Sequence, residues 1–254
     1  TLPMTTICFA GLGAMGRPMA ANLVKAGHTV NGTDVNPAAL DWLRANGGTP
    51  FPSAREAATG AGMLVLMVVN ADQAEAVLFE AGALDALVPD AIVVLCATCA
   101  PARAAAIGAK VEGTGRRFID APVSGGVVGA EAGSLTIMAS GTAAVLDAAE
   151  PVLKAMGSRL FRVGGKAGDG AMVKTINQLL CGVHIAAAAE ALALGERAGL
   201  DPKVLLEIYG SSAAGSWMLN NRGPRMLMED PPVTSAVDIF VKDLGIVLDA
   251  GHQT

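Results

Sequence analysis

The feature that most constrains the fold of this chain is a glycine turn, GLGAMG at residues 11–16. Before it, the run ICFA is short and apolar, as in a strand. After it, RPMAANLVKAG has the spacing of an amphipathic helix that ends at Gly27. In such a turn the first glycine permits a tight bend, the second lets another group approach the backbone, and the third lets helix and strand pack closely. The start of the chain therefore predicts a strand–turn–helix unit.

The same alternation of strand and helix continues through the first half of the chain. HTVNGTD and PAALDWLRANG predict a second strand and a second helix, the latter closed by Gly47. MLVLMVV and AIVVLCA are continuous apolar runs, as expected of parallel strands covered on both faces. RFIDAPVSG and SLTIMASG predict further strands. We therefore predict an α/β fold with a doubly wound parallel sheet, a Rossmann fold.

The pattern changes after about residue 163. Strand signals stop, and an Ala- and Leu-rich helical period runs from about Gly168 to Ala198, with Gly199 directly after it. A helix of that length is about 45 Å long, so we expect it to bridge two domains. These are residues 1–163 and an all-helical domain, residues 164–254, which is expected to be truncated at its C-terminus.

Composition and charge exclude several classes of function. The 254 residues carry a net charge of −5, which argues against nucleic acid, whose phosphates need a basic face. The longest apolar run, residues 179–194, is shorter than the roughly 20 residues that span a bilayer. It is therefore expected to be a core helix rather than a membrane segment. No signal peptide is predicted, since the first apolar residues already form a strand.

The cysteines indicate a reducing compartment. Cys8, Cys96, Cys99 and Cys181 lie in apolar segments without the spacing of a disulfide framework, so we expect a cytoplasmic protein. Cys96 and Cys99 form a C-x-x-C pair at the end of an apolar strand. Because no second pair accompanies it, we expect no metal site.

The glycine turn and Asp34 together indicate a dinucleotide. Phosphates lie on the N-terminus of the helix that follows such a turn, where N–H groups and the helix dipole favour anions. Asp34 ends the second predicted strand, where a carboxylate accepts hydrogen bonds from ribose hydroxyls and repels a 2′-phosphate. Because Val35 follows instead of an arginine, NAD is favoured over NADP. The alternatives are a tight turn without a ligand and a solvated turn aspartate. The predicted cofactor-binding residues are Gly11, Leu12, Gly13, Ala14, Met15, Gly16, Asp34, Val35 and Asn70.

Lys174 and Asn177, in GDGAMVKTINQ, lie three residues apart in the otherwise apolar long helix. Oxidising a secondary alcohol requires hydride to leave carbon while a base takes the hydroxyl proton. Because burial favours a neutral amine, a buried lysine can accept that proton, and Asn177 on the same helical face can orient the substrate oxygen. The alternative is a lysine that extends from the helix end into solvent. His28, His184 and His252 lack the neighbours of a competing base.

Four separated motifs carry a family resemblance. They are FAGLGAMGRPMAANL near the start, DAPVSGG at residues 120–126, GDGAMVKTINQ at residues 168–178 and FVKDLG at residues 240–245. Together they resemble the β-hydroxyacid dehydrogenase family, which includes 3-hydroxyisobutyrate dehydrogenase and tartronate semialdehyde reductase. NQLLCGVHIAAAAEALAL, AAGSWMLNNR and SAVDIFVKDLG resemble its L-threonate dehydrogenase branch. The resemblance implies NAD-dependent oxidation of a hydroxyl of a small hydroxy acid, with Lys174 as the catalytic acid/base.

The resemblance also implies substrate and nicotinamide contacts. Ser124, Gly125 and Gly126 match the segment that binds the substrate carboxylate, and a Gly-Gly turn exposes the N–H donors that an anion needs. The alternative is an ordinary turn. Thr98 matches a position beside the nicotinamide, where the serine that precedes it in the family is Ala97 here, which weakens that contact.

Four residues of the helical domain are further candidates. Lys242 matches a lysine that reaches the cofactor, and Asp243 beside it is expected to order the site; a surface Lys–Asp pair is the alternative. Trp217 and Asn221 can contact the substrate, although a tryptophan at helical spacing is more often part of a core.

Several alternatives remain open at the level of function. Imine reductases share the architecture but lack the lysine at the corresponding helix position. A noncatalytic dinucleotide-binding module is the second alternative, because the relatives run some tens of residues further. The identity of the hydroxy acid and of the oxidised hydroxyl also stays open. The apolar helical face at residues 236–250 predicts a partner, so we expect a homodimer or homotetramer that binds neither nucleic acid nor membrane.

Overall fold

A computed structural model of the chain describes residues 5–231 and 237–254. The chain divides into two compact units, Thr1–Lys174 and Thr175–Thr254. The predicted domain boundary, after residue 163, lies at the end of the last strand and not at the division between these units. The predicted division into domains stays a prediction.

One sheet forms the centre of the first unit. Its strands are β1 (Thr6–Ala10), β2 (Thr29–Thr33), β3 (Thr49–Pro50), β4 (Met63–Leu66), β5 (Ile92–Leu95), β6 (Arg117–Asp120), β7 (Val123–Ser124), β8 (Thr136–Ser140) and β9 (Arg159–Gly164). The strand order is β3-β2-β1-β4-β5-β6-β8-β7, and β9 pairs with β8. The pairs from β3 to β6 along this order are parallel, which is the predicted doubly wound arrangement.

Strand β8 departs from the predicted parallel pattern. It runs antiparallel to β6 and to β7, and parallel to β9. A strand buried on both faces is apolar whether it runs parallel or antiparallel to its neighbours. The apolar runs therefore predict strands here, but they do not determine the direction of each strand.

Helices of the first unit alternate with the strands. They are α1 (Gly16–Lys25), α2 (Pro37–Ala45), α3 (Ala54–Ala58), α4 (Ala71–Glu75), α5 (Ala83–Ala86), α6 (Pro101–Glu112), α7 (Gly126–Glu131) and α8 (Ala143–Met156). A π-helical turn, Ala76–Glu80, continues α4.

Two separate cores explain why the central strands are apolar throughout. In β1, Ile7 and Phe9 belong to one buried cluster, while Cys8 and Ala10 belong to the other. Successive side chains of a strand point to opposite faces, so a strand covered on both sides has no polar face. This confirms the interpretation of the continuous apolar runs.

The second unit is helical throughout its described part, residues 175–231 and 237–254. Its helices are α9 (Asp169–Arg197), which begins in the first unit, α10 (Pro202–Ser211), α11 (Trp217–Met226) and α12 (Val237–Gln253). The predicted long helix is thus confirmed, and it stops before Gly199, whose φ of +80° ends it. Glycines let these helices approach closely: a Cβ at Gly182 would lie 2.9 Å from Leu244 of α12.

The expectation that residues 179–194 form a core helix is wrong for one face of α9. Its exposed apolar residues are Ile176, Leu179, Leu180, Val183 and Leu194. Among the described residues, α9 is the helix whose length and hydropathy would suit a membrane span, with 22% of the tested window buried. Helices of proteins outside membranes meet the same criteria, so the finding by itself assigns no membrane.

Candidate active site

The glycine turn between β1 and α1 has the geometry that its sequence predicted. Gly11 has φ +93°, and a Cβ there would collide with the carbonyl oxygen of Met67. A Cβ at Gly16 would collide with the carbonyl oxygen of Gly11. A Cβ at Gly13, by contrast, would meet no atom within 4 Å. Gly11 and Gly16 therefore allow the turn itself. Gly13 leaves open space, in which a pyrophosphate could approach the backbone.

Asp34 is held beside this turn by backbone donors. Its Oδ2 accepts a 2.6 Å hydrogen bond from the Leu12 N–H, and its Oδ1 accepts one of 2.8 Å from the Asn36 N–H. Each carboxylate oxygen keeps a further lone pair for a ribose hydroxyl. The side chain of Val35 next to it is fully exposed and adds no charge. The pair therefore fits a ribose without a 2′-phosphate.

Leu12 is packed into the protein, and its predicted contact with the cofactor stays a prediction. Its side chain is fully buried, its N–H donates to Asp34, and its carbonyl accepts a 3.0 Å hydrogen bond from Arg17 Nε. We interpret Leu12 as the residue that ties the glycine turn to Asp34. Sequence analysis missed Arg17, whose cationic side chain is thereby fixed at the turn. Ala14 and Met15 lead into α1, where the Arg17 N–H donates to the Gly13 carbonyl at 3.1 Å and the Met19 N–H to that of Met15 at 3.3 Å. Their predicted cofactor contacts stay predictions.

Asn70 and Thr98 follow β4 and β5 at the same edge of the sheet. Because β1, β4 and β5 are parallel neighbours, their carboxyl ends meet where the glycine turn lies. Asn70 Oδ1 accepts a 2.9 Å hydrogen bond from the Gln73 N–H and so caps α4, which leaves its amide N–H groups as the part that can bind a cofactor. Thr98 is half-buried. Both cofactor assignments stay predictions.

Ser124, Gly125 and Gly126 form the turn from β7 into α7. Gly125 and Gly126 have φ values of +131° and +63°, which explains why both positions are glycine. Asn22 of α1 donates a 2.8 Å hydrogen bond through Nδ2 to the carbonyl of Ala130. This bond fastens the helix after the glycine turn to the helix after Ser124. Sequence analysis missed Asn22, whose signal was an amide inside an apolar stretch of α1.

Lys174 is buried, with 7% of its surface exposed, in the first unit's part of α9. The alternative of a lysine extending into solvent is therefore wrong. A buried amine is the environment that general acid–base chemistry by lysine needs. Its catalytic role stays a prediction.

A chain of polar contacts in the second unit connects Asn177 with Lys242. Asn177 Nδ2 donates to Gln178 Oε1 at 3.0 Å, and Gln178 Nε2 donates to Asp243 Oδ2 at 2.7 Å. Lys242 Nζ lies 3.0 Å from Asp243 Oδ1. Asp243 is 3% exposed, so the alternative of a surface Lys–Asp pair is wrong for its carboxylate. Sequence analysis missed Gln178, which links the two predicted site residues.

Trp217 and Asn221 lie on α11 in the second unit. Trp217 is 54% exposed, so the alternative of a core tryptophan is wrong. Asn221 is half-buried. An exposed aromatic side chain can contact a substrate, and that role stays a prediction.

Asp120 is the most perturbed carboxyl group of the first unit. It is fully buried at the end of β6, and its Oδ2 accepts hydrogen bonds from the N–H groups of Gly168 at 3.0 Å and Ala171 at 2.7 Å. Burial raises its pKa to about 6, although these bonds work against the shift. Asp120 is the first residue of the motif DAPVSGG, and the sequence pattern assigns it no role. The available signal was a lone carboxylate directly after an apolar strand.

The C-x-x-C pair lies inside the protein. Cys96 and Cys99 are both buried. Burial, together with nearby Asp120, raises the pKa of the Cys96 thiol to about 12, so the thiol stays protonated at neutral pH. Among the described residues no cluster of three or more His, Cys, Asp or Glu side chains could hold a metal ion.

Comparison with known proteins extends along the whole chain. A family model described as the NAD binding domain of 6-phosphogluconate dehydrogenase matches residues 6–165. A second, described as NAD-binding of NADP-dependent 3-hydroxyisobutyrate dehydrogenase, matches residues 168–254.

Named relatives match at high identity. The L-threonate dehydrogenase of Cupriavidus necator is 46% identical over 245 residues, which is 96% of this chain and 82% of the relative. The NAD-dependent L-serine dehydrogenase of Pseudomonas aeruginosa is 39% identical over 259 residues, which is 99% of this chain and 87% of the relative. Among solved structures, the 3-hydroxyisobutyrate dehydrogenase of Salmonella typhimurium has a TM-score of 0.92 and 42% identity, covering 98% of this chain and 87% of that one.

Imine reductases are much more distant. The enzyme of Streptomyces aurantiacus has a TM-score of 0.73 and 19% identity, covering 97% of this chain and 78% of that one. At that identity the likeness shows a shared fold and nothing about the reaction.

Proposed function

The chain belongs to the β-hydroxyacid dehydrogenase family, that of the 3-hydroxyisobutyrate dehydrogenases, and on that premise we propose that it uses NAD to oxidise L-threonate, with Lys174 as the general acid/base. The observation that carries the chemistry is the buried amine of Lys174 in a chain whose glycine turn and Asp34 fit a dinucleotide. The preference for L-threonate rests on the relatives that carry this name, which are 41–46% identical.

The reaction divides between the cofactor and the side chains. NAD, when bound, supplies the acceptor for the hydride that leaves the carbinol carbon with its electron pair. Neutral Lys174 takes the hydroxyl proton onto Nζ as the C–O bond becomes a carbonyl, and in the direction of reduction its ammonium returns the proton. Ser124, Gly125 and Gly126 bind the substrate carboxylate through a hydroxyl and backbone N–H groups. Asn177, further along α9, orients the substrate oxygen.

The cofactor is held by groups around the glycine turn. Gly13 allows the pyrophosphate to approach, Asp34 binds the ribose hydroxyls, and Arg17 adds a cation at the turn of a chain whose net charge is −5. Asn70, Thr98 and Lys242 contribute further contacts.

The proposed activity is tested by NADH formation with a panel of hydroxy acids. The panel contains L-threonate, D-glycerate, 3-hydroxyisobutyrate and L-serine, and we expect the highest kcat/KM for L-threonate. A higher kcat/KM for another acid would contradict L-threonate as the substrate but would agree with the proposed type of reaction. If calorimetry shows NAD binding but no acid yields NADH, the chain is a noncatalytic dinucleotide-binding module.

We further propose a cytoplasmic homodimer or homotetramer. The buried thiols Cys8 and Cys96 suit a reducing compartment. On α12, Val237 and Val241 are 77% and 66% exposed, which is typical of a face that packs on another subunit. Ala236, the first residue of the predicted apolar face, lies outside the described residues.

A further inference from the structure

Two side chains at the ends of adjacent antiparallel strands meet the first turn of α9. Asp120, the last residue of β6, is paired with Ser140, the last residue of β8. Both are fully buried. They lie apart in sequence and come together only because β8 runs antiparallel to β6.

Together these side chains bind three backbone N–H groups at the start of α9. Asp120 Oδ2 accepts from Gly168 and Ala171, and Ser140 Oγ accepts a 3.0 Å hydrogen bond from Gly170. Intrahelical bonds cannot satisfy N–H groups at this position. A carboxylate is also favoured there by the helix dipole.

The contact is close as well as polar. A Cβ at Gly170 would lie 2.6 Å from the carbonyl oxygen of Met138 and 2.8 Å from that of Asp120. The first turn of α9 therefore rests directly on the strand ends. Lys174 follows Ala171 by one turn on the same helix, so any shift of this turn moves its amine.

We propose that Asp120, supported by Ser140, is a positioning residue that fixes the first turn of α9 and thereby places the Lys174 amine for proton transfer. This inference rests on the proposed function, since it assigns Lys174 the acid/base role. Asp120 Oδ2 accepts two backbone N–H groups of α9, and Oδ1 is buried without a hydrogen-bond partner. We therefore assign Asp120 an effect through the helix rather than a contact with substrate.

Burial is the main cause of the raised pKa of Asp120, and the N–H groups of Ala171 and Gly168 work against it. Asp169 of α9 repels Asp120, the Ser140 hydroxyl favours the carboxylate, and Cys96 beyond β5 stays a neutral thiol. Because the folded-state pKa is raised from 3.8 to about 6, the folded chain binds this proton more tightly than the unfolded chain. The group therefore favours folding most at low pH, and that contribution is lost as pH rises through about 6. At neutral pH the buried carboxylate of Asp120 is charged and lowers the stability of the fold. A positioning role for Asp120 would explain why a carboxylate stands there.

The decisive variant is Asp120→Asn. Its amide oxygen can still accept from Gly168 and Ala171, but without the strength of a charged acceptor. We expect Tm at neutral pH to equal or exceed that of the wild type, because a buried charge is removed. We expect kcat with the best hydroxy acid to fall about 10-fold or more, since a displacement of about 1 Å can cost about 10²-fold. KM and the Kd for NAD should not change. Asp41→Asn, on the exposed face of α2, is the matched control and should leave kcat unchanged.

Two further measurements separate positioning from support of the fold. The wild type should lose additional kcat below pH 6, and Asp120→Asn should lack that inflection. Amide hydrogen exchange of residues 166–175, measured without substrate, should be faster in Asp120→Ala and Ser140→Ala than in the wild type.

The outcomes are distinguishable. Wild-type kcat in Asp120→Asn, or a fall in kcat matched by a fall in Tm, would overturn the positioning role. Unchanged exchange in both alanine variants would show that the side chains do not hold the turn. A wild type without activity on any hydroxy acid would instead refute the proposed function. Hydrogen exchange of residues 166–175 would then still test whether Asp120 and Ser140 fix the first turn of α9.

Discussion

Lys174 is the residue on which the proposed chemistry depends most. Its ammonium would be hydrated at a surface position, whereas here it is buried within α9. Removing water from an amine disfavours its charged form relative to its neutral form, and the neutral form is the one that accepts a proton. The burial of Lys174 in α9 is therefore the observation that supports its proposed role as the acid/base.

We predict that Lys174→Ala lowers kcat at least ~10²-fold, the usual contribution of a positioned acid/base. The Kd for NAD should be unchanged, because the glycine turn and Asp34 are intact. Lys25→Ala, at the exposed end of α1, is the control and should retain full activity. Turnover near that of the wild type in Lys174→Ala would remove this lysine from the mechanism.

We expect Asp34 and Val35 to decide the choice between NAD and NADP. We expect kcat/KM to favour NAD, because the carboxylate repels a 2′-phosphate and Val35 offers no cation. Asp34→Ser combined with Val35→Arg should narrow the preference by removing the repulsion and adding a phosphate partner. A native preference for NADP would contradict this interpretation of the end of β2.

At the scale of elements, β1, the glycine turn and α1 act as one unit. The glycines of residues 11–16 serve two separate purposes. Gly11 and Gly16 avoid collisions with backbone atoms of the protein, whereas Gly13 leaves open space at the surface for a ligand. Asp34 then fastens the turn to β2, and Asn22 fastens α1 to α7. The proposed cofactor and substrate segments are thus held by the same helix.

The two kinds of glycine should respond differently to alanine. In Gly16→Ala the methyl group meets the Gly11 carbonyl, so we expect a loss of at least about 2 kcal/mol in the free energy of unfolding, typical of overpacking. In Gly13→Ala the methyl group meets open space, so stability should change little while the Kd for NAD rises. Denaturant unfolding and NAD titration of both variants check this. Unimpaired NAD binding by Gly13→Ala would show that the pyrophosphate lies elsewhere.

At the scale of the whole molecule, exposed apolar surface is concentrated on helices of the second unit. Besides the α9 face, Val237, Val241 and Leu248 of α12 are exposed. Large apolar surfaces of this kind are usually covered by another protein surface. Because the helical unit provides them, assembly is expected to depend on it.

We therefore expect light scattering at micromolar concentration to give the mass of a dimer or tetramer. Val241→Glu should weaken the assembly by placing a charge in the interface, whereas Val88→Glu, an exposed position of the first unit, should not. A thermally stable, monodisperse monomer would contradict the proposed oligomer.

The sequence by itself determined most of the architecture and where the predicted site residues fall along it. Local patterns were sufficient for the strand–helix alternation, the glycine turn, Asp34 at the end of β2 and the long α9 with its single lysine, because each depends on residues close in the chain. The resemblance of four motifs then predicted the family that the comparisons confirm.

Only the tertiary structure decided the contacts between segments far apart in sequence. It brought Asp120 and Ser140 to the start of α9 through an antiparallel strand pair, and it connected Asn177 to Lys242 through Gln178 and Asp243. It also exposed one face of a helix that was expected to be buried. The physical reason is the same in each case: periodicity shows which residues are apolar, but strand direction and helix packing decide what surrounds a side chain.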